Sequence, residues 1–193
     1  MSFLNEDEAL IAAALNGSAY AWEKLVKRYE GRLYNYGLRL TGNASDAMDL
    51  LQEVFLGVYR NLHRFRGDAK FSSWLFRIAH NKAVDMNRRK RLMSTKSDSI
   101  DQDENGQIQL VDEDLRNRPE AKLLTKQQNN QILNMLESLP LQQRLIVELK
   151  FYQSQTFEEI AQGQGISTNT AKTRYYSALK KLKSESEKKH VLS

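Results

Sequence analysis

TFEEIAQGQGISTNTAKTRYYSALKKLK, residues 156–183, carries the most specific local signal in the chain. Thr156 followed three residues later by Glu159 is a capping box, in which hydroxyl and carboxylate each satisfy a backbone N–H that the first helical turn leaves free. It opens a short helix, TFEEIAQ; Gly163 and Gly165 are expected to make the turn, and Ser167 or Thr168 to cap a second helix. On that second helix Ala171, Tyr175, Ala178 and Leu182 recur at helical spacing and face inward. Asn169, Lys172, Thr173, Tyr176, Ser177, Lys180 and Lys181 then face outward. A short helix, a glycine-containing turn and a longer basic helix make a helix-turn-helix. Its second helix lies in the major groove, where base edges distinguish all four base pairs. An ordinary helical hairpin shares the topology; the caps, the turn and the polar outer face together favour DNA binding.

Upstream of this unit the chain breaks at Ser138-Leu139-Pro140, with Pro140 suited to the first helical position of a segment over about 141–151. A helix of roughly 120–137 follows Pro119. Before it, STKSDSIDQDENGQIQLVDEDLRNRP has almost no apolar periodicity and reads as an acidic tether, because it cannot bury enough apolar surface to offset the entropy of ordering. The charge follows the same division. Residues 1–93 hold 15 basic and 10 acidic side chains, residues 94–131 hold 5 and 8, and residues 132–193 hold 9 and 6. Two small helical domains, 1–93 and 119–193, joined by a flexible linker over 94–118, are therefore expected.

The whole chain has 193 residues, of which 40% are hydrophobic, with 9 Gly, 2 Pro and no Cys. The absence of cysteine excludes disulfides, thiolate metal sites and cysteine nucleophiles. No apolar run nears the roughly 20 residues of a membrane span, and the acidic start MSFLNEDEAL is unlike a signal peptide. A soluble, cytoplasmic, all-α protein is expected, with no direct membrane insertion and no cofactor.

The first domain concentrates its charge again. From Arg60 to Arg91 there are ten Lys/Arg and only Asp68 and Asp85 as acids, with Phe65, Phe71, Trp74 and Phe76 interleaved. Cations that neutralise phosphate beside rings that stack on unpaired bases suit a single-stranded nucleic acid, although the spacing of Phe71, Trp74, Leu75 and Ile78 assigns some rings to the core. Helices are expected over 6–15, 18–40, 46–62 and 71–91, with Ser72 or Ser73 near the start of the last. Asn43 should cap the third, with Asp46 in its first turn. That helix turns Leu51, Val54, Phe55, Val58 and Leu62 to the core. Asp46, Asp49 and Glu53 share another face, which the spacing alone leaves open between solvated surface, a metal site and a docking face for a basic helix.

TGNASDAMDLLQEVFLGVYRNLHRFRG (41–67), FSSWLFRIAHNKAVDMNRRKR (71–91), LESLPLQQRLIVELKFYQSQTFEEIA (136–161) and STNTAKTRYYSALKKLK (167–183) together resemble the sigma-70 family of RNA polymerase specificity subunits, in its small extracytoplasmic-function (ECF) group. The resemblance covers both domains in order. It implies that Asp46, Asp49, Gln52 and Glu53 dock on the clamp coiled coil of the polymerase's largest subunit. Met48 stands where the family commonly has Glu. The basic-aromatic segment would capture the unwound non-template strand of the minus-ten element, through Arg64, Phe65, Arg66, Lys70, Trp74, Asn81, Asp85, Arg88 and Arg89. The helix-turn-helix would read the minus-thirty-five element through Asn169, Lys172, Thr173, Arg174, Tyr176, Ser177, Lys180 and Lys181, while contacting the polymerase flap. Ser177-Ala178-Leu179 stands where family members often have Arg-Ala-Arg. The tether matches a linker that runs toward the RNA exit path, and an anti-sigma partner is implied.

Two other functions compete. A free-standing helix-turn-helix regulator would leave the docking helix and the single-strand site without a purpose. A metal-dependent nuclease using Asp46, Asp49 or Glu53 finds no support, because His63, His80 and His190 have no ligand spacing and no Gly-rich phosphate loop is present. Neither a metal nor a catalytic site is expected.

Overall fold

A computed structural model of the protein describes residues 6–94 and 130–191, and every regular element among them is helical. The order is α1 (Glu6–Leu15), α2 (Ala19–Thr41), α3 (Ala44–Asn61), a 3-10 turn (Leu62–Arg64), α4 (Phe71–Ser94), α5 (130–137), α6 (Leu141–Val147) continuing as a π turn (Glu148–Tyr152), α7 (Phe157–Gln164) and α8 (Thr168–Val191). Most of the expected tether and the first residues of the expected 120–137 helix lie outside the described residues. No helix among the described residues is long and apolar enough to cross a membrane.

The expected caps at Asn43 and Ser167 form: Asn43 accepts from Asp46 to start α3, and Ser167 accepts from Thr170 to start α8. Ser18, which the sequence reading did not single out, accepts from the Ala21 amide to start α2. In the capping box, Thr156 accepts from the Glu159 amide (3.1 Å) while the Glu159 carboxylate accepts from the Thr156 amide (2.7 Å). Three local expectations shift. Gly163 belongs to α7, so Gly165, with φ 64°, makes the turn alone. Pro140 precedes α6 as its cap residue instead of entering the first turn. Ser73, expected to serve the start of α4, directs its hydroxyl to Glu159, 3.4 Å away.

α1–α4 pack around Leu25, Leu33, Tyr36, Leu50, Val54, Leu75 and Phe76, all essentially inaccessible to water. Leu50 joins this core from α3, and Ala47 is buried beside Leu38 of α2, although the expected apolar stripe omitted both. Ala47 is small because α2 and α3 nearly touch there, opposite Gly37. α1 is held by Asp7, which accepts from Tyr29 (2.5 Å) and Arg28 (2.8 Å).

The second unit does not stand apart. Leu145, Ile146, Leu149, Ile160, Ala161 and Ala171 belong to the same continuous core as α1–α4, and Leu133 of α5 packs with Leu38 and Ala47. At Gly42, whose φ of 67° ends α2, a Cβ would sit 1.8 Å from the Glu137 carboxylate. The left-handed φ is the demand that favours glycine, because the exposed Glu137 side chain can swing away from an added Cβ. The segment expected as one helix over 141–151 widens into a π turn at Glu148, and both Glu148 and Leu149 at its start are buried. Such turns interrupt helices where a side chain must be redirected.

Candidate nucleic-acid interface

The rings before and within the start of α4 form one cluster of edge-on and tilted pairs. Phe65 lies 5.5 Å from Phe71 and 5.5 Å from Trp74, centroid to centroid, and Phe71 lies 5.7 Å from Trp74. Phe71 and Phe76 are core, the latter set against Tyr36. Of the four rings grouped from sequence, Phe65 and Trp74 alone are half-buried, each keeping part of its surface open.

They border a cleft of about 310 Å³ whose α4 side carries Arg64, Arg66, Arg77 and His80. Its other side is α7 and the loop before it, with Gln155, Glu159, Ile160 and Gln164. Sequence reasoning missed Arg77, His80 and this second wall, because nothing local in the sequence pairs α4 with α7. Burial pushes the His80 imidazole down to about 4, and the nearby Arg174 charge adds to this. It is therefore neutral at physiological pH. Glu159 is held below its ordinary range, first by the Thr156 amide, with Ser73 and the Lys70 charge also contributing, so an anion faces the cleft.

Asn81 is exposed further along α4, and Asp85 bonds Arg88 at 3.1 Å. Trp74, Asn81, Asp85 and Arg88 are spaced by seven, four and three residues, which sets them on one helical stripe. Arg89, four residues after Asp85, lines with it a groove of about 370 Å³ between α3 and α4, together with Asp49, Gln52, Glu53 and Lys82.

In that groove Lys82 donates to Glu53 at 2.7 Å, and this hydrogen bond leads the factors that keep Glu53 below its ordinary range. Lys90 donates to Asp46, so Asp46 is engaged by α4. Asp49, Gln52 and Glu53 stay exposed, flanked by Met48 and Leu56. Among the described residues no group of His, Cys, Asp or Glu has the arrangement of a metal site.

On α8, Asn169, Lys172, Thr173, Tyr176, Ser177, Lys180 and Lys181 are all exposed, while Ala171 and Ala178 are sealed beneath. Tyr175 and Tyr176 gather on Phe157 of α7, with ring centroids 5.5 and 6.3 Å away, which braces the two helices of the motif. Arg174 is half-buried and donates to Gln142 at 3.1 Å, so it serves the α6–α8 junction. Lys181 donates to the Ser138 carbonyl.

Known proteins match this arrangement in both halves. Residues 25–92 match the family described as Sigma-70 region 2, and residues 129–182 match Sigma-70, region 4. The ECF RNA polymerase sigma-E factor of Escherichia coli K12 is 30% identical over 174 residues, covering 89% of this chain and 90% of the relative. The RNA polymerase sigma-H factor of Pseudomonas aeruginosa is 27% identical over 176 residues, 90% of each chain. Among solved structures, CnrH in complex with the cytosolic domain of CnrY is similar with a TM-score of 0.67 at 23% identity, covering 95% of this chain and 98% of that one. The sigma factor RpoE of Bartonella quintana, in complex with the anti-sigma factor NepR, gives 0.61 at 18% identity over 79% and 88%. The last two establish likeness of fold. With both regions matched in order and 30% identity sustained over nearly the whole length, the chain belongs to the sigma-70 family of RNA polymerase sigma factors, in its ECF group.

Proposed function

We propose that this sigma factor docks on core polymerase through Asp49, Gln52 and Glu53 on the outer face of α3. It would capture the unwound minus-ten strand on the rings and cations at the start of α4, and read the minus-thirty-five duplex with the exposed face of α8. One observation carries the reading. A single chain holds an open ring pair flanked by Arg64, Arg66 and Arg77, which suits unpaired bases, and a separate helix-turn-helix, which suits duplex DNA. A factor that only bound duplex DNA would need the second alone.

Extruding a base costs a few kcal/mol of unpairing and unstacking, and stacking on an aromatic ring returns about 1–3 kcal/mol per base. Phe65 and Trp74 are therefore of the right kind to offset melting, and the arginines add phosphate contacts. Like other sigma factors, the chain acts in transcription initiation, with the polymerase supplying the chemistry. The clamp coiled coil and the flap are the polymerase elements we assign to α3 and to the second domain. An anti-sigma factor, as bound by RpoE of Bartonella quintana, is the regulator we assign. The cytoplasm is the compartment in which these partners meet.

The test is a pull-down with core polymerase followed by promoter transcription. Asp49→Arg with Glu53→Arg should abolish both co-purification and transcription, while the same variant retains affinity for minus-thirty-five duplex. Transcription that persists in the double variant would overturn the docking assignment. A wild-type chain that fails to co-purify with polymerase would return the reading to a free-standing regulator.

A further inference from the structure

We propose that Asp7 is a positioning residue for strand capture: through Tyr29 and Phe71 it fixes the angle at which Phe65 and Trp74 meet unpaired bases. This rests on the reading of α4 given above.

The open rings have little support from the loop that carries them. Residues 65–70, between the 3-10 turn and α4, form neither helix nor strand, and Arg66 to Lys70 are exposed. α1 runs beside this loop without closing on it: Asp7 and Glu8 on one side and residues 67–70 on the other border a pocket of about 280 Å³. What holds Phe65 and Trp74 is the buried Phe71 ring, which one meets edge-on and the other tilted. Phe71 leans in turn on Tyr29 of α2, with ring centroids 5.4 Å apart and planes at 67°. A ring returns the full value of stacking only if it is aligned before the base arrives, because aligning it on binding costs side-chain entropy. The tilt of Tyr29 therefore reaches the two open rings through Phe71.

That tilt is set by the Tyr29 hydroxyl. The phenol is 4% exposed and donates to Asp7 Oδ2 at 2.5 Å, while Asp7 Oδ1 accepts from Arg28 at 2.8 Å. Arg32 lies over the face of the same ring, 5.7 Å from its centroid. Burial, and then the bond to Asp7, push the Tyr29 hydroxyl up from an ordinary 10, so it stays a donor throughout neutral pH. A carboxylate offers each donor its own oxygen, whereas an amide there has one acceptor and strands the other donor. Asp7 thus makes two bonds with different consequences. The bond to Arg28, which Glu6 shares, holds α1 against α2. The bond to Tyr29 orients the ring behind the capture site.

The experiment uses the full chain with core polymerase and a minus-ten non-template oligonucleotide carrying 2-aminopurine, whose fluorescence is quenched when it stacks on a ring. Tyr29→Phe removes one oxygen and keeps the supporting ring; Asp7→Asn removes one acceptor. Both should bind the strand at least about fivefold more weakly, the equivalent of the smallest value for one stacked base, and should quench less. The double variant should lose no more than the larger single loss, because both changes break one bond. Arg28→Gln is the control: it loosens α1 but leaves the Tyr29–Asp7 bond, so the melting temperature should fall while strand affinity and quenching match wild type. Binding to minus-thirty-five duplex and co-purification with polymerase should be unchanged in every variant. Should Asp7→Asn fail to fold, Tyr29→Phe decides alone. Wild-type affinity and quenching in Tyr29→Phe, or a loss in Arg28→Gln as large as in Tyr29→Phe, would overturn the proposal and leave the reading of α4 intact. If the wild type binds polymerase but no strand, the reading of α4 fails and the role of Asp7 falls with it.

Discussion

Arg39 and Glu148, 109 residues apart in sequence, form an ion pair closed off from water between α2 and the π turn. Burial outweighs the Arg39 charge and pushes the Glu148 carboxyl up to about 7 from an ordinary 4.5. The nearby Tyr36 and Tyr152 hydroxyls rise as well, chiefly through burial. His80, at the same domain junction, moves the other way, to about 4 from 6.5.

These two groups predict opposing pH dependences. Between pH 4.5 and 7 the unfolded chain has released the Glu148 proton while the folded chain retains it, so this group lowers stability as pH rises. Between pH 4 and 6.5 the unfolded chain protonates His80 while the folded chain does not, so that group raises stability as pH rises. In the wild type the two should nearly cancel from about pH 4.5 to 6.5. His80→Gln should expose a fall across pH 4.5–7, and Glu148→Gln a rise across pH 4–6.5 followed by a plateau. Each slope should approach at most about 1.4 kcal/mol per pH unit. Urea midpoints measured across that range check both; parallel curves for the two variants would contradict the pairing.

Gly37 predicts a helix–helix clash. A Cβ there would lie 2.9 Å from Ala47 Cα and 3.1 Å from the Ala47 carbonyl oxygen, both backbone atoms. Gly→Ala in a helix ordinarily gains about 1 kcal/mol. At Gly37 the forced separation of α2 and α3 should reverse the sign and cost on the order of 1–3 kcal/mol. Gly57 is the control, because its Cβ would meet side-chain atoms of Ile78 and Lys82 at 3.3 and 3.7 Å, which can move. Thermal unfolding should rank Gly57→Ala at or above wild type and Gly37→Ala well below it.

What the sequence disclosed follows the range of the interactions involved. Asn43, Thr156 and Ser167 act on amides three residues away, so their caps were legible without a fold. The outward face of α8 was legible because Ala171 and Ala178 mark its inward side. Phe76 was misgrouped with the open rings because it lies in a basic stretch beside Arg77, whereas its burial comes from Tyr36, forty residues earlier. Arg39 and Glu148 carried no local sign, since each reads as an ordinary charged helical residue until the domains close. The two-domain pattern was likewise legible, whereas the shared core was not, because the apolar faces of α6 and α7 do not name their partner.

The capping box predicts a local loss at α7. Thr156→Ala removes the acceptor for the Glu159 amide and should cost about 1 kcal/mol, whereas Thr156→Ser should be close to neutral. Amide exchange in α7 should accelerate in the alanine variant more than in α2. Uniform acceleration across the chain would mean that α7 opens only with global unfolding.

The exposed face of α8 separates affinity from specificity. Lys180 is a flexible cation with no base-like geometry, so we assign it to phosphate. Lys180→Ala should weaken binding to all duplex sequences alike and reduce the slope of log affinity against log salt by about one. Asn169 and Thr173 are short, exposed and near the start of the helix, the end that enters the groove. Their alanine variants should leave the salt slope unchanged and lose about 1–3 kcal/mol only on duplexes carrying the preferred base. Titration of each variant against a cognate and a scrambled minus-thirty-five duplex at several salt concentrations distinguishes the two roles. If Lys180→Ala changed preference between the duplexes while Thr173→Ala changed only the salt slope, the assignments would have to be exchanged, and α8 would then sit in the groove further toward its C-terminal half.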